Sequence, residues 1–160
     1  MNGMKKKIAL IVFSNDMDKA MAAFILATGA ASAGMEVSMY FTFWGLSLLR
    51  KKKIHCKGKT LIERMFGWML PEGPDGAVLS KMNLFGLGTA MMKRVMRKKK
   101  MLQLSDLINI AQSLDVKIIA CSTSMEMMGI KQEELLDTIN VGGVATYLAE
   151  ASETDINLFI

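Results

Sequence analysis

The sequence predicts a doubly wound α/β domain with an open, mostly parallel sheet. Three observations predict it. Residues 7–13, KIALIVF, form a continuous apolar, β-branched run of the kind buried on both faces of a parallel sheet. A helical stripe and a second strand-like run follow at once, which gives one strand–helix–strand unit over residues 7–43. The same alternation resumes after residue 100 and runs to the last residues, DINLFI.

Each element has its own warrant. After the first strand, Ser14, Asn15 and Asp16 are good helix N-caps. Met17, Ala20, Met21, Phe24, Ile25 and Thr28 then share one helix face, and Gly34 closes it. Residues 36–43, EVSMYFTF, read as the second strand. The middle breaks the pattern. LLRKKKIHCKGK reads as a basic loop, TLIERMFGWML as a short helix and PEGPDG as a turn holding both prolines. AVLSKMNLFGLGTAMMKRVMRKKK reads as an amphipathic, glycine-containing segment, so residues 50–100 form an excursion between strands. Leu104, Leu107, Ile108, Ala111 and Leu114 mark the next helix, with Ser105 as its expected cap. Residues 116–120 form a third strand, 131–138 a short helix or helical turn, VGGVATYLAEAS a helix after its glycine pair, and DINLFI a last strand.

With 160 residues and 51% hydrophobic composition, the chain suits one domain with a sizeable core. Sixteen methionines point to a Met-rich core; a thioether copper site would want ordered Cys, Met or His spacing, and there is one histidine, His55. Two cysteines, Cys56 and Cys121, make no disulfide framework. The start, MNGMKKKIALIVFSND, has too short an apolar run for a secretory signal, and residues 20–35 are too short and too rich in small residues for a membrane span. The expected compartment is the cytoplasm, with thiols reduced. Charge is divided unevenly: residues 50–100 hold fourteen Lys or Arg against three acids, whereas the rest of the chain is net acidic.

The usual motifs are missing. There is no P-loop, and FGLGTAM lacks the third glycine of a dinucleotide fingerprint and the first strand–helix position. SNDMDK follows the first strand, but its two aspartates repel a phosphate, so a plain helix cap is the better reading. Two cysteines 65 positions apart and one histidine make no zinc set, so no metal is expected. His55 sits one residue from Cys56 in a lysine-rich stretch, which argues against a Cys–His hydrolase using Cys121.

Cys121 remains. The run KIIA leads straight into it, and STSMEMMG follows, so it sits at the carboxyl end of a strand, where open parallel sheets react. Ser122, Thr123 and Ser124 are turn and cap residues. A helical turn beginning there would direct free amides and a dipole at the sulfur, favouring the thiolate. Met125, Met127 and Met128 would make its surroundings apolar. The competing reading is a small, buried, inert residue at a strand end.

FTFWGLSLLRK, MNLFGLGTAMMK, ACSTSMEMMGI and GGVATYLAEA, in that order, resemble the DsrE/DsrF-type sulfur-relay family, in its methionine-rich, DsrE-like or peroxiredoxin-like branch. The likeness runs from the first strand to Ala151. It implies a flavodoxin-like three-layer α/β/α fold with a mostly parallel open sheet of about five strands. It also implies homo-oligomers, often trimers or multiples, and sulfur carried as a cysteine persulfide. The branch's AC-x-x-S-M-x-x-M-G motif maps onto Cys121, Ser124, Met125, Met128 and Gly129. Thr123 stands where the branch more often has Met, and Cys56 matches no site of the family.

The function expected is therefore a sulfur carrier or sulfurtransferase that passes sulfane sulfur on Cys121, without a cofactor, between donor and acceptor proteins. The alternative is a non-enzymatic α/β binding or membrane-surface adaptor whose cysteine is inert. Arg50, Lys51, Lys52, Lys53, Lys93, Arg94, Arg97 and Lys98 are candidates for steering an acidic partner protein. They also suit anionic lipid heads, with Met91, Met92, Val95 and Met96 facing the bilayer, which would make the protein peripheral to the membrane. Nucleic acid is the weakest partner, because aromatic residues are not interleaved with the lysines.

Overall fold

The structure, a computed structural model, describes residues 5–52, 60, 61, 65, 67 and 69–160. Five strands form one parallel sheet: β1 (Lys7–Val12), β2 (Glu36–Phe41), β3 (Lys117–Cys121), β4 (Asn140–Gly142) and β5 (Ile156–Phe159). Their order is β4-β3-β2-β1-β5. Among the described residues, helices α1 (Met17–Ser32), α2 (Leu87–Lys98), α3 (Leu104–Ser113), α4 (Ser122–Met128) and α5 (Val144–Ala151) accompany them. The three-layer, mostly parallel architecture expected from the family resemblance is the one observed.

The sheet grows in one direction from β1 to β4 and then jumps back across β1 to β5. Right-handed crossovers place helices on one face while the sheet grows one way, and on the other face when the direction reverses. Accordingly α1, α3 and α4 share the main core with Leu10, Val12, Met39, Phe41, Ile118 and Ala120. The alternate strand residues Tyr40, Ile119 and Cys121 face the opposite side, where Tyr147 of α5 packs on them. Phe24 and Phe41 are completely buried and meet at 5.8 Å between ring centroids. Burying each such side chain is worth about 2–3 kcal/mol.

Local signals explain most boundaries. Asp16 is the extended N-cap of α1 and Gly34 lies just beyond its end, with φ 85°. The cap of α3 is Gln103, not Ser105: its backbone N–H donates to the Asp106 carboxylate at 2.8 Å, the return half of a capping box, and Ser105 lies inside the first turn. The apolar stripe expected there ends at Ser113. β2 stops at Phe41, and Phe43–Leu49 wind into a 3₁₀ helix. Leu48 and Leu49 are fully buried, so the basic loop expected from residue 48 begins later. β4 is a strand that sequence patterning did not single out; three residues, NVG, are too few to alternate. In residues 131–138 only Gln132–Glu134 are helical, as one 3₁₀ turn.

Candidate functional site

The two ends of the excursion and Cys121 lie at the same edge of the sheet. β2 ends at its carboxyl edge before the excursion starts, and the chain returns at the N-terminus of α3, which lies at that same edge. The Met17 N–H donates to the Val78 carbonyl at 2.7 Å, and Asp18 accepts from both the backbone N–H and the hydroxyl of Ser80, pinning the excursion to the start of α1. The SNDMDK segment is thereby a helix start with its carboxylates engaged, since Asp16 also accepts from Ser14 and pairs with Lys19 at 2.7 Å. The sheet's switch point, between β1 and β5, is filled by rings: Phe13 lies 5.3 Å from Phe43 and 5.9 Å from Phe159.

Cys121 is the last residue of β3 and also the N-cap of α4. The residue is 7% exposed. The strand leaves it on the face shared with Tyr40 and Ile119, with the Tyr147 ring 5.2 Å from that of Tyr40. Three hydroxyls converge there. One of the Thr42 and Ser124 hydroxyls donates to the other at 2.8 Å, and the Tyr40 hydroxyl donates to the Gly142 carbonyl at 3.4 Å. Burial pushes the Cys121 thiol up. Hydrogen bonds from the Ser124 hydroxyl, the Tyr40 hydroxyl, the Ser124 backbone N–H and the Thr42 hydroxyl outweigh that and hold it below the ordinary thiol value. Tyr40 moves the other way: burial first, then the neighbouring Cys121, raise its pKa, so the phenol keeps its proton. The arrangement can hold an anionic sulfur in a nearly dry slot, and the groups that stabilise it are neutral donors.

The expected residues divide between two places. Ser124 lies against the sulfur, and its N–H and hydroxyl both act on it, as the helix-start argument requires. Ser122 and Thr123 occupy the first turn of α4, and the Ser122 hydroxyl lies beside Gly143. Gly129 ends α4 with φ 63°, while the Ile130 N–H donates to the Met125 carbonyl at 2.9 Å, the closing bond of a left-handed cap. Met125 and Met128 are buried in the main core, on the face away from Cys121, and Met127 is exposed. The methionine lining expected around the sulfur is thus corrected: strand alternation turns Cys121 toward Tyr40 and Tyr147 instead. Tyr40, Thr42 and Tyr147 are the site residues that sequence reasoning missed. Tyr40 and Thr42 stand two apart at the end of a strand and so share a face, which was the signal available.

The basic candidates also divide. Arg50 is corrected outright. It is 4% exposed, pairs with the buried Glu134 at 3.3 Å, and donates to the Gly67 and Leu70 carbonyls. No surface of it is left for a partner. Lys93 is half-buried and donates to the Asp75 carbonyl at 2.8 Å, tying α2 to the preceding turn. Lys51 pairs with Asp137, and Lys52 with Asp75. Arg94, Arg97 and Lys98 are exposed on α2. Lys53, His55, Cys56, Lys57 and Lys59 lie outside the described residues. Met96, expected to face outward, is 4% exposed and belongs to the core. Among the described residues no group of three or more His, Cys, Asp or Glu could hold a metal, and no helix is long and apolar enough to cross a membrane.

A sequence model of the DsrE/DsrF/DrsH-like family matches residues 4–159. The chain belongs to that family. Among curated proteins it is 48% identical over 155 residues to YrkE of Bacillus subtilis, covering 97% of each chain. It is 34% identical over 165 residues to the sulfur carrier protein DsrE2 of Allochromatium vinosum, covering 98% of this chain and 99% of that one. Among solved structures, the YchN protein of E. coli shares the fold with a TM-score of 0.57 at 10% identity, over 97% of this chain and 99% of that chain. In this DsrE-like chain, the family match takes in both the β3–α4 junction that carries Cys121 and the strand residues Tyr40 and Thr42.

Proposed function

We propose that this DsrE-like protein is a sulfur carrier that holds and passes sulfane sulfur as a persulfide on Cys121. The observation that carries the reading is the position of Cys121 at the β3–α4 junction beside the Thr42–Ser124 hydroxyl pair and Tyr40, where its thiol is held below the ordinary value despite burial. The membership in the family, and the likeness to a protein named a sulfur carrier, support the same reading. In the loading step the Cys121 thiolate attacks the outer sulfur of a donor persulfide, R–S–SH. A new S–S bond forms to Cys121, the donor's S–S bond breaks, and the donor leaves as its thiolate. The product is Cys121–S–SH, one of the reversible caps on a thiol. An acceptor thiolate then attacks the outer sulfur in turn and restores the Cys121 thiolate, with no net oxidation. Ser124, Thr42 and Tyr40 hydrogen-bond whichever sulfur carries the charge, and the slot keeps water and oxidants away. Donor and acceptor are proteins that bring their own sulfur to the sheet's carboxyl edge, and the working form is a homo-oligomer, a trimer or a multiple.

The low exposure of Cys121 favours one other reading, an α/β adaptor whose cysteine is inert. One experiment separates them. The reduced protein is incubated with polysulfide and weighed intact, beside Cys121→Ser. A single added sulfur, lost in the variant, supports the carrier. An absent adduct, or one that persists in the variant, removes it.

A further inference from the structure

We propose that the tip at residues 82–87, together with α2, docks the protein onto an anionic lipid surface. Between Asp75 and Asp106 the chain has no acidic residue and seven cations. Within that span the tip carries Met82, Leu84, Phe85 and Leu87, all exposed, with Phe85 fully so. The outward side of α2 continues this apolar strip through Met91 and Val95, and its buried side is only Thr89 and Met96. Arg94, Arg97 and Lys98 flank the strip, and Lys99 and Lys100 extend it. An apolar strip beside a cation-only flank is the pattern of a segment lying in the headgroup region, with the apolar side chains reaching below it.

The tip is held in place rather than left loose. Met82, Leu84 and Phe85 all have positive φ (58°, 43° and 55°), which for bulky residues is strained and persists only where the surroundings impose it. The surroundings are visible. The Thr89 hydroxyl is buried, donates to the Asn83 side chain at 2.7 Å and accepts from the Leu79 N–H at 2.9 Å. Gly88 packs so closely on the Met82 carbonyl that a Cβ there would lie 1.9 Å from it. The strain keeps Leu84 and Phe85 pointing away from the core. The amides of Gly86 and Gly88 donate to the Asn83 carbonyl, and that of Leu87 to the Leu84 carbonyl. Backbone donors satisfied within the turn remove much of the cost of entering an apolar medium. A protein groove would need matching acids and a defined shape, whereas a lipid surface asks only for charge and reachable apolar groups.

The test is flotation of the full chain with vesicles of phosphatidylcholine alone and of phosphatidylcholine mixed equally with phosphatidylglycerol. The protein floats with the mixed vesicles and not with the neutral ones. Arg94→Gln, Arg97→Gln and Lys98→Gln combined lower the partition roughly a hundredfold, at about one power of five per cation. Leu84→Ser with Phe85→Ser lowers it roughly tenfold. Both variants alter exposed side chains, and unchanged thermal melting shows that each still folds. Cys121→Ser floats like the parent, which keeps the result independent of the sulfur chemistry. Failure to float with mixed vesicles overturns the proposal, as does flotation indifferent to the Leu84 and Phe85 changes.

Discussion

Ser124, Tyr40 and Thr42 lower the Cys121 pKa against its burial, and removing them has a definite sign. Ser124→Ala takes away the hydroxyl and leaves the backbone N–H, so the thiol titrates higher than in the parent. Tyr40→Phe acts in the same direction. The check is the pH dependence of alkylation by a neutral reagent; a midpoint that stays in place in both variants would dismiss the hydroxyl cluster as the cause. The same shift links to stability. The folded thiol lies below its unfolded value, so the thiolate adds stability that is complete above the unfolded value and is lost as pH falls through the folded one. Urea unfolding across that window should therefore show parent and Cys121→Ser diverging as pH rises. At this scale the sequence showed the nucleophile and Ser124, because both sit in one contiguous motif. It did not show Tyr40 or Tyr147, which reach Cys121 from elements 81 and 26 residues away in the chain.

At the scale of elements, two junctions hold the carboxyl edge in shape. The 3₁₀ helix Phe43–Leu49 approaches the end of β1 so closely that a Cβ on Gly45 would lie 2.3 Å from the Val12 carbonyl oxygen. Gly45→Ala should lower stability by about 1–3 kcal/mol through overpacking against backbone, read as a drop in the urea midpoint. The second junction is the buried Arg50–Glu134 pair, set beside a backbone bond from the Lys51 N–H to the Glu134 carbonyl at 2.7 Å. Glu134→Ala strands a buried guanidinium and should cost about 3–5 kcal/mol. A loss below about 1 kcal/mol would mean that the pair contributes little. Periodicity made β1, α1, α3, β3 and β5 legible, because each is long enough to repeat. It failed for β4 and misplaced Arg50, because a basic run in sequence says nothing about which of its members turns inward to meet a distant carboxylate.

The whole molecule is asymmetric in its cover. One sheet face lies under α1 and α3, whereas α5, which lies over the other, has no buried residue. Val144, Leu148 and Phe159 are exposed there, an apolar surface for a chain on its own. The expected homo-oligomer would cover it. Sedimentation should give a trimer or a multiple, and Leu148→Glu should shift it toward monomer; a parent that sediments as a monomer throughout would reject the assembly. The basic excursion leaves and rejoins the sheet at the edge that carries Cys121, so association with a lipid surface and sulfur exchange would occur at the same end of the molecule.

By itself the sequence determined the α/β class, the parallel sheet and the position of Cys121 at a strand's carboxyl end. Those follow from local periodicity and from the residues next to it in the chain. Only the tertiary structure decided which face of the sheet the sulfur occupies, which hydroxyls share it, and that Arg50 is spent on Glu134. The reason is physical. A strand's alternation fixes that Cys121 and Ile119 share a side, but strand order and crossover direction decide what covers that side, and those depend on contacts between segments far apart in the chain.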